Sequence, residues 1–215
     1  ITGDYAYVDK TALIYQLVTS GKIYFLSRPR RFGKSLLVST LKNYFLGKKE
    51  LFKGLAINTL EKEWAEYPVF QIDFNGENYL SPGTLEKKIE DALSRWEQLY
   101  GSSPHYTSPG NRFLYVLKAA HEKYGRRAVV LIDEYDNPIH NAFGKPHHQE
   151  ILDSMRDILS SALKGNDSLQ FGVVTGVMQI SKESIFSGLN NLRVNNVLSK
   201  DFDEMFGFTD EEVKA

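Results

Sequence analysis

The sequence is poor in three features that would each have indicated a particular class of protein. It contains no cysteine, which excludes disulfide bonds and thiolate zinc sites. No apolar run approaches the ~20 residues that a membrane-spanning helix needs, and no signal-peptide pattern opens the sequence. The net charge of the 215 residues is only −1, so no overall positive field would draw the chain to nucleic acid or to an anionic membrane. We therefore expect a cytoplasmic protein without membrane contact, in which any basic surface is local.

Strand and helix patterns alternate along the chain, whose composition, 42% hydrophobic and 25% charged, is that of a globular domain. Amphipathic helical stretches separate most of the strand candidates, an order typical of a parallel sheet covered by helices on both faces. Ligands of such sheets bind beyond the carboxyl ends of the strands, so the polar residues that follow each strand are the candidates for function. The five segments with strand patterns cover residues 22–27, 68–74, 128–133, 169–176 and 192–199.

The first candidate site is the segment FLSRPRRFGKSLL, which joins an apolar strand to an amphipathic helix. Its Gly33-Lys34-Ser35 has the composition and context of a phosphate-binding loop, in which backbone amides and a helix N-terminus attract phosphate oxygens. In such loops the lysine bridges the β- and γ-phosphates and the hydroxyl binds Mg²⁺. We therefore predict ATP and Mg²⁺ as cofactors, with Lys34 catalytic and Ser35 a metal ligand. The candidate nucleotide contacts are Arg28, Pro29, Arg30, Arg31, Phe32, Gly33, Lys34, Ser35 and Leu36.

Arg28 departs from the usual loop, because it stands where the first glycine is expected. A left-handed backbone there would cost ~1–2 kcal/mol, so either the loop is strained or its first turn has another shape. Pro29 also removes one amide donor. Arg28, Arg30 and Arg31 could bind phosphate through bidentate contacts or fold over an empty pocket. The alternative to a phosphate site is a Gly-Lys-Ser tripeptide that merely begins a helix.

An acidic pair follows the apolar strand in VVLIDEYDNP. Uncompensated burial of a carboxylate is costly, so Asp133 at the end of a buried strand suggests chemistry rather than packing. Beside a phosphate loop, Asp133 would hold Mg²⁺ and Glu134 would activate the attacking water as a general base. Asp136 either caps the turn at Asn137-Pro138 or lies in the outer metal shell, and we favour the cap. A solvated strand end is the plainer alternative for the acidic pair.

Thr175 ends the apolar strand LQFGVVTG. In ATPases with an additional strand between the phosphate loop and the acidic strand, that strand carries a polar sensor near the γ-phosphate. Thr175 is our candidate for this catalytic role, and Gln179 or Lys182 would replace it if the strand ended later. Threonine also has a high β-propensity, which by itself would explain its presence.

Other polar residues carry weaker signals. Tyr5 and Tyr7 lie upstream of the loop and could border an adenine or belong to the core. Arg193 could supply an arginine finger, as could another subunit. We interpret three histidines, His140, His147 and His148, mainly as surface residues, and a metal cluster is the less favoured interpretation.

Several separated motifs together resemble the AAA-ATPase-like family of prokaryotic proteins. The motifs are YVDKT, RPRRFGKS, LIDEYDNPI, TGVMQISKESIFSGLNNL and FGFTDEEV. The resemblance implies an α/β P-loop NTPase fold, a three-layer sandwich whose mostly parallel five-stranded sheet has the order 5-1-4-3-2. It also implies that the arginine-rich loop is the family's own form, and it places Lys34 and Ser35 on phosphate and Mg²⁺, Asp133 on metal and Glu134 on water activation. The loop is similar to that of the archaeal ATPases as well.

The resemblance also implies a C-terminal nuclease-like domain after the ATPase module. Thr209 and Glu212 form a capping-box pattern that predicts the start of a helix. We therefore expect the ATPase core to cover residues 1–208 and a following helical lid to begin at residues 209–215.

Three functions are compatible with these patterns. The one we adopt is a Mg-ATPase that drives or gates the attached nuclease-like domain. Nucleic acid would be bound through that domain. A homo-oligomer is one oligomeric state that such a protein could adopt. The second is a nucleotide-binding switch with negligible turnover. The third is a module whose arginine cluster binds the phosphate backbone of nucleic acid, and the near-neutral net charge counts against it.

Overall fold

A single parallel sheet forms the centre of the computed structural model, which describes residues 7–178, 192–199 and 202–214. Its strands are β1 (Ile23–Ser27), β2 (Val69–Asp73), β3 (Ala128–Asp133), β4 (Leu169–Gly176) and β5 (Leu192–Asn195). The order across the sheet is β2-β3-β4-β1-β5, and every neighbouring pair is parallel. Read from the other edge, this is the order 5-1-4-3-2, so the predicted P-loop NTPase fold class is confirmed.

Helices cover both faces of the sheet. Within the described ranges they are α1 (Thr11–Ser20), α2 (Lys34–Phe45), α3 (Ile57–Leu60), α4 (Pro82–Tyr100), α5 (Pro109–Tyr124), α6 (Asn137–Ala142), α7 (His148–Leu163) and α8 (Asp210–Lys214), with 3₁₀ turns at Lys49–Phe52 and Asp203–Met205. Helices α4 to α7 share one apolar core with the sheet, whereas α1 to α3 and residues 202–206 share the other.

The alternation of β3 shows why the strand is apolar throughout. Val130 and Ile132 belong to the core under α4 to α7, while Val129 and Leu131 belong to the core under α1 to α3. Since both faces of the strand are buried, side chains that alternate in direction must all be apolar. Asp133, the next residue, is the first carboxylate at the carboxyl end of this strand.

Two local features differ from the sequence pattern. The helical pattern predicts a helix from about Arg112 to Tyr124, but α5 begins at Pro109, because the Ser108 hydroxyl accepts the amide of Asn111 and caps the helix (3.2 Å). Leu99 falls on the apolar stripe of α4 but is 60% exposed, since it lies in the last turn of the helix, beyond the buried Trp96. The sequence pattern also predicts a short helix between the fourth and fifth strands, and that segment lies outside the described residues.

Asp9 fixes the N-terminal segment to the core, close to the phosphate loop. Its Oδ1 accepts the amide of Thr11 (2.9 Å) and the Thr11 hydroxyl (2.6 Å), while its Oδ2 accepts the amide of Ala56 (2.7 Å). Burial raises the pKa of Asp9, but these hydrogen bonds together outweigh burial and hold it below its usual value. The Asp9 carboxylate therefore links the start of α1 to the backbone of Ala56, the residue that precedes α3.

We expect the stabilising effect of Asp9 to depend on pH. Because its pKa is lower in the folded chain, its contribution is fully present above the unfolded value of about 3.9 and is lost as the pH falls through the folded pKa. The variant Asp9→Asn should lower the urea midpoint at pH 7, and the difference from wild type should shrink steadily below about pH 4. Asp91→Asn, at an exposed position of α4, is the matched control. If Asp9→Asn lowered the urea midpoint by the same amount at pH 7 and well below pH 4, this role of Asp9 would be contradicted.

Candidate functional site

The loop between β1 and α2 lies at the carboxyl edge of the sheet, next to the end of β4. Ser27 pairs with Gly176, and the amide of Arg28 donates to the carbonyl of Gly176 (3.2 Å). The first backbone hydrogen bond of α2 runs from the Leu37 amide to the Gly33 carbonyl (2.9 Å). The amides of residues 34–36 therefore have no acceptor within the helix, and a helix N-terminus of this kind attracts anionic oxygens.

Lys34 is buried in this loop, with 3% of its surface exposed. Its Nζ donates to the carbonyls of Arg28 (3.1 Å) and Pro29 (3.2 Å). The same Nζ lies 3.2 Å from Oε1 of Glu134, which follows β3. The fold thus brings the lysine of the loop and the second acid of the acidic pair into direct contact.

Asp133 and Thr175 form the second contact of the site, on neighbouring strands. Asp133 is only 2% exposed, and the hydroxyl of the fully buried Thr175 donates to its Oδ1. The amide of Glu134 in turn donates to the Thr175 hydroxyl (3.3 Å). Because β4 lies between β1 and β3, Thr175 stands between the phosphate loop and the acidic pair, where the sensor was predicted.

Two residues of the site adopt left-handed backbone conformations that are unfavourable for side chains other than glycine. Arg31 has φ 67° and Glu134 has φ 52°, and such strain costs on the order of 1–3 kcal/mol per residue. Arg28 is not among the left-handed residues. The loop therefore makes its left-handed turns at Arg31 and Gly33, so the first-glycine position takes another shape, one of the two alternatives that the sequence left open.

Arg28 is directed away from the loop, toward β5. Its guanidinium donates to the carbonyl of Ser27 (2.8 Å) and to the carbonyl and side-chain oxygens of Asn195 (3.1 and 2.6 Å). The same group lies over the ring of Phe206, 4.6 Å from its centroid, and Arg28 is 4% exposed. The phosphate contact expected of Arg28 stays a prediction, and the structure gives its side chain a different set of partners.

Asp136 does not cap the turn in the way we favoured. It occupies the residue before α6, but its backbone is helical (φ −82°, ψ −11°) and its side chain makes no cap bond. A capping side chain needs an extended backbone to reach the first amides of the helix. Oδ2 of Asp136 instead accepts the amides of Val177 (3.0 Å) and Met178 (2.8 Å), and so holds the chain that leaves β4.

A cavity of about 190 Å³ opens beside the loop. It is mainly apolar and is formed by the N-terminal segment, the start of α2 and the segment after β5. Its lining includes Tyr7, Arg31, Phe32, Gly33, Leu36 and Phe208. A second cavity of about 240 Å³ adjoins Arg30, Glu134 and Asp136. Tyr7 thus borders the loop, as one of its two interpretations requires, and Tyr5 lies outside the described residues.

The remaining candidates lie apart from this site or beyond the described residues. Arg193 pairs with Tyr24, three residues before the end of β1 and therefore about 10 Å from the loop edge. Among residues 7–178, 192–199 and 202–214, no three histidine or acidic side chains form a group that could hold a metal. In the same ranges no helix has the length and apolarity to cross a membrane. The two alternative sensors, Gln179 and Lys182, fall in the undescribed part.

The partners of Arg28 could not be predicted from the sequence. Asn195 and Phe206 lie far along the chain and belong to a weak strand pattern and a short turn. Phe206 stands inside FGFTDEEV, a motif of the resemblance, which was the one available hint that this segment matters.

Comparisons with known proteins identify the family of this chain. The family model described as "Predicted AAA-ATPase" (AAA-ATPase-like) matches residues 1–186. A protein of Azotobacter chroococcum mcd 1, named "Uncharacterized protein in vnfD 5′region", is 40% identical over 214 residues, which cover 99% of this chain and 41% of that protein. The chain therefore spans less than half of the length of this relative.

Among solved structures, the Aeropyrum pernix ORC1 protein in complex with DNA aligns with 90% of this chain and 47% of that chain, with 14% identity and a TM-score of 0.42. The family model, by contrast, matches well over half of the chain. The phosphate loop and the acidic strand both lie within the matched residues. The chain accordingly belongs to the predicted AAA-ATPase family, the AAA-ATPase-like proteins.

Proposed function

We propose that this chain is an ATP-binding module that hydrolyses Mg-ATP slowly and uses it to drive or gate a C-terminal domain. The observation that carries the proposal is the 3.2 Å contact between Lys34 and Glu134 at the mouth of α2. A buried ammonium beside a carboxylate, at a helix N-terminus with open amides, has the components that a phosphate site with a water-activating base requires. The cytoplasm is the proposed location.

The residues present fit ATP and Mg²⁺. The amides of residues 34–36 and the Lys34 ammonium would hold the phosphates, with the exposed Arg30 and Arg31 adding positive charge. Ser35, exposed at the start of α2, and the buried Asp133 would hold the metal. The apolar cavity that includes Tyr7 and Leu36 would take the base. A Mg²⁺ ion held by Ser35 and Asp133 would supply positive charge that neutralises the phosphates.

The chain's own residues would divide the chemistry among them. Glu134 would orient a water molecule and accept its proton, and it is 18% exposed, enough for water to reach it. Thr175 would hold Asp133 in place through its hydroxyl and Glu134 through that residue's amide. Lys34 has to serve both the phosphates and Glu134, so its contact with the carboxylate should restrain the base and make turnover slow.

The non-hydrolysing switch remains the second candidate because Glu134 is both strained and ion-paired. If the carboxylate never left Lys34, the module would bind nucleotide without turning it over. The third candidate, binding to the nucleic-acid backbone through the arginine cluster, is weakened because Arg28 is buried against Asn195 and Phe206. Only Arg30 and Arg31 of the cluster are exposed.

The attached domain also belongs to the proposal. The relative from Azotobacter is more than twice as long as its matched region. We propose that a nuclease-like domain follows the module, brings it to nucleic acid and is controlled by its nucleotide state. Assembly into a homo-oligomer would be one way to supply an arginine finger, since Arg193 of the same chain lies away from the loop.

Removing the Lys34 charge should weaken ATP binding. Lys34→Met keeps most of the stem but loses the ammonium, and we expect the dissociation constant for Mg-ATP to rise roughly 10- to 100-fold, as for the loss of hydrogen bonds to a charged group. Isothermal titration calorimetry with Mg-ATP and Mg-ADP measures the effect. Lys42→Met, at an exposed position of the same helix, should bind as wild type does. Equal affinities for Lys34→Met and wild type would refute a phosphate site in this loop.

Replacing the proposed base should separate hydrolysis from binding. Glu134→Gln should lower the rate of phosphate release by about 10²- to 10⁴-fold, because the amide cannot accept the proton of water. The affinity for ATP should be unchanged or higher, because the substitution removes the carboxylate that competes for Lys34. Glu122→Gln, which alters an exposed ion pair with Lys118 on α5, is the matched control.

Two other outcomes of this experiment have distinct meanings. An unaltered hydrolysis rate in Glu134→Gln would remove Glu134 from the chemistry. A wild-type rate no higher than the background without protein, with ATP binding intact, would favour the switch.

A further inference from the structure

The segment from residue 202 to residue 214, which we call the C-terminal strap, is fastened to the phosphate loop by a residue of that loop. Arg28 places its guanidinium over the Phe206 ring at 4.6 Å and donates to Asn195 at the end of β5 (3.1 and 2.6 Å). Phe206 and its neighbour Met205 are both buried. A guanidinium that lies over a ring and donates several hydrogen bonds at the same time is an arrangement that lysine cannot reproduce.

A second anchor holds the strap to the N-terminal segment. Lys10 lies 2.9 Å from Oε2 of Glu212 and also donates to the carbonyl of Glu204. The Glu212 carboxylate accepts the amide of Thr209 as well (2.8 Å), which completes the capping box predicted from the sequence. The pKa of Glu212 is held below its usual value, first by this backbone hydrogen bond and then by Lys10. The strap is thus tied to the loop on one side and to the chain before α1 on the other.

The strap also forms one wall of the cavity beside the loop. The cavity of about 190 Å³ is lined on this side by Met205, Gly207 and Phe208 and on the loop side by Arg31 and Gly33. The ring of Phe32 lies beside Gly207, since a methyl group built there would be in ordinary van der Waals contact with it at 3.6 Å. Any molecule that fills this cavity must contact both the loop and the strap.

We propose that Arg28 is a positioning residue, which couples the phosphate loop to the C-terminal strap so that the strap responds to nucleotide. This inference rests on the proposed function and deepens it, because it names the element through which nucleotide would act on a C-terminal domain. It also assigns a role to the arginine that replaces the first glycine of the loop. The loop has no flexible glycine at this position. Instead, the Arg28 side chain connects the loop to the strap, which forms another wall of the cavity.

The coupling can be measured by amide hydrogen exchange of the strap in the 215-residue chain. In wild type, Mg-ATP should slow exchange of the amides of residues 205–208 by about fivefold or more, the lower end of the usual coupling between two sites. In Arg28→Met this response should disappear. ATP should still bind, weakened by no more than the coupling factor itself, because coupling between two sites is reciprocal.

Three further variants distinguish a loss of coupling from a general loss of stability in Arg28→Met. Arg28→Lys keeps the charge but not the paired hydrogen bonds to Asn195, and should restore only part of the response. Glu212→Gln leaves the loop untouched and loosens the other anchor on the surface, so it should also reduce the response. Arg126→Met removes an exposed guanidinium that lies over the Tyr67 ring (5.4 Å) near the start of β3, and should behave as wild type.

Each adverse result identifies which claim fails. If wild type binds ATP but exchange of the strap does not change, the coupling is wrong and the proposed function stands. If Arg28→Met loses ATP binding as Lys34→Met does, while the strap of the ATP-free variant exchanges as in wild type, Arg28 is a phosphate ligand and the inference is overturned. If wild type binds no ATP in the calorimeter, the proposed function and the inference fall together.

Discussion

The contact between Lys34 and Glu134 is the interaction on which the candidate site depends. Neither residue has a fixed place until the sheet forms, because one follows β1 and the other follows β3. The parallel arrangement puts both carboxyl ends at one edge, and β4 between them supplies Thr175, which bonds to Asp133 and Glu134. A buried ammonium without a carboxylate partner would be costly, so the fold and the site stabilise each other at this point.

Much of this arrangement could be predicted from the sequence. The buried strands are near-continuous apolar runs, and the polar residues at their ends fall where parallel strands place their ligands. That is why Lys34, Asp133, Glu134 and Thr175 could be chosen in advance, although their functions stay predictions. The strand order came from the resemblance of the motifs, since periodicity alone does not tell which strands are neighbours.

The rest depended on conformations and distant contacts that no local pattern reveals. Asp136 precedes a helix as a capping residue would, but its helical backbone turns the carboxylate toward the chain after β4. Arg28 sits among residues of a phosphate loop, yet its partners lie on β5 and beyond. The left-handed backbone at Glu134 is likewise invisible in the sequence, because glutamate normally avoids it. Of the four left-handed residues other than glycine in the described ranges, Arg31 and Glu134 lie at the candidate site, where such departures are common.

The contact between Lys10 and Glu212 brings both ends of the described chain to the same side of the sheet, next to the cavity. The opposite side is made by α4 to α7 and contributes nothing to that cavity's lining. Labels placed close to Tyr7, Lys10 or Phe208 would therefore change the lining of this cavity. A dye attached to the outer surface of α4 or α5 would leave the cavity clear, which makes that surface the sensible place for labels and for immobilising the protein.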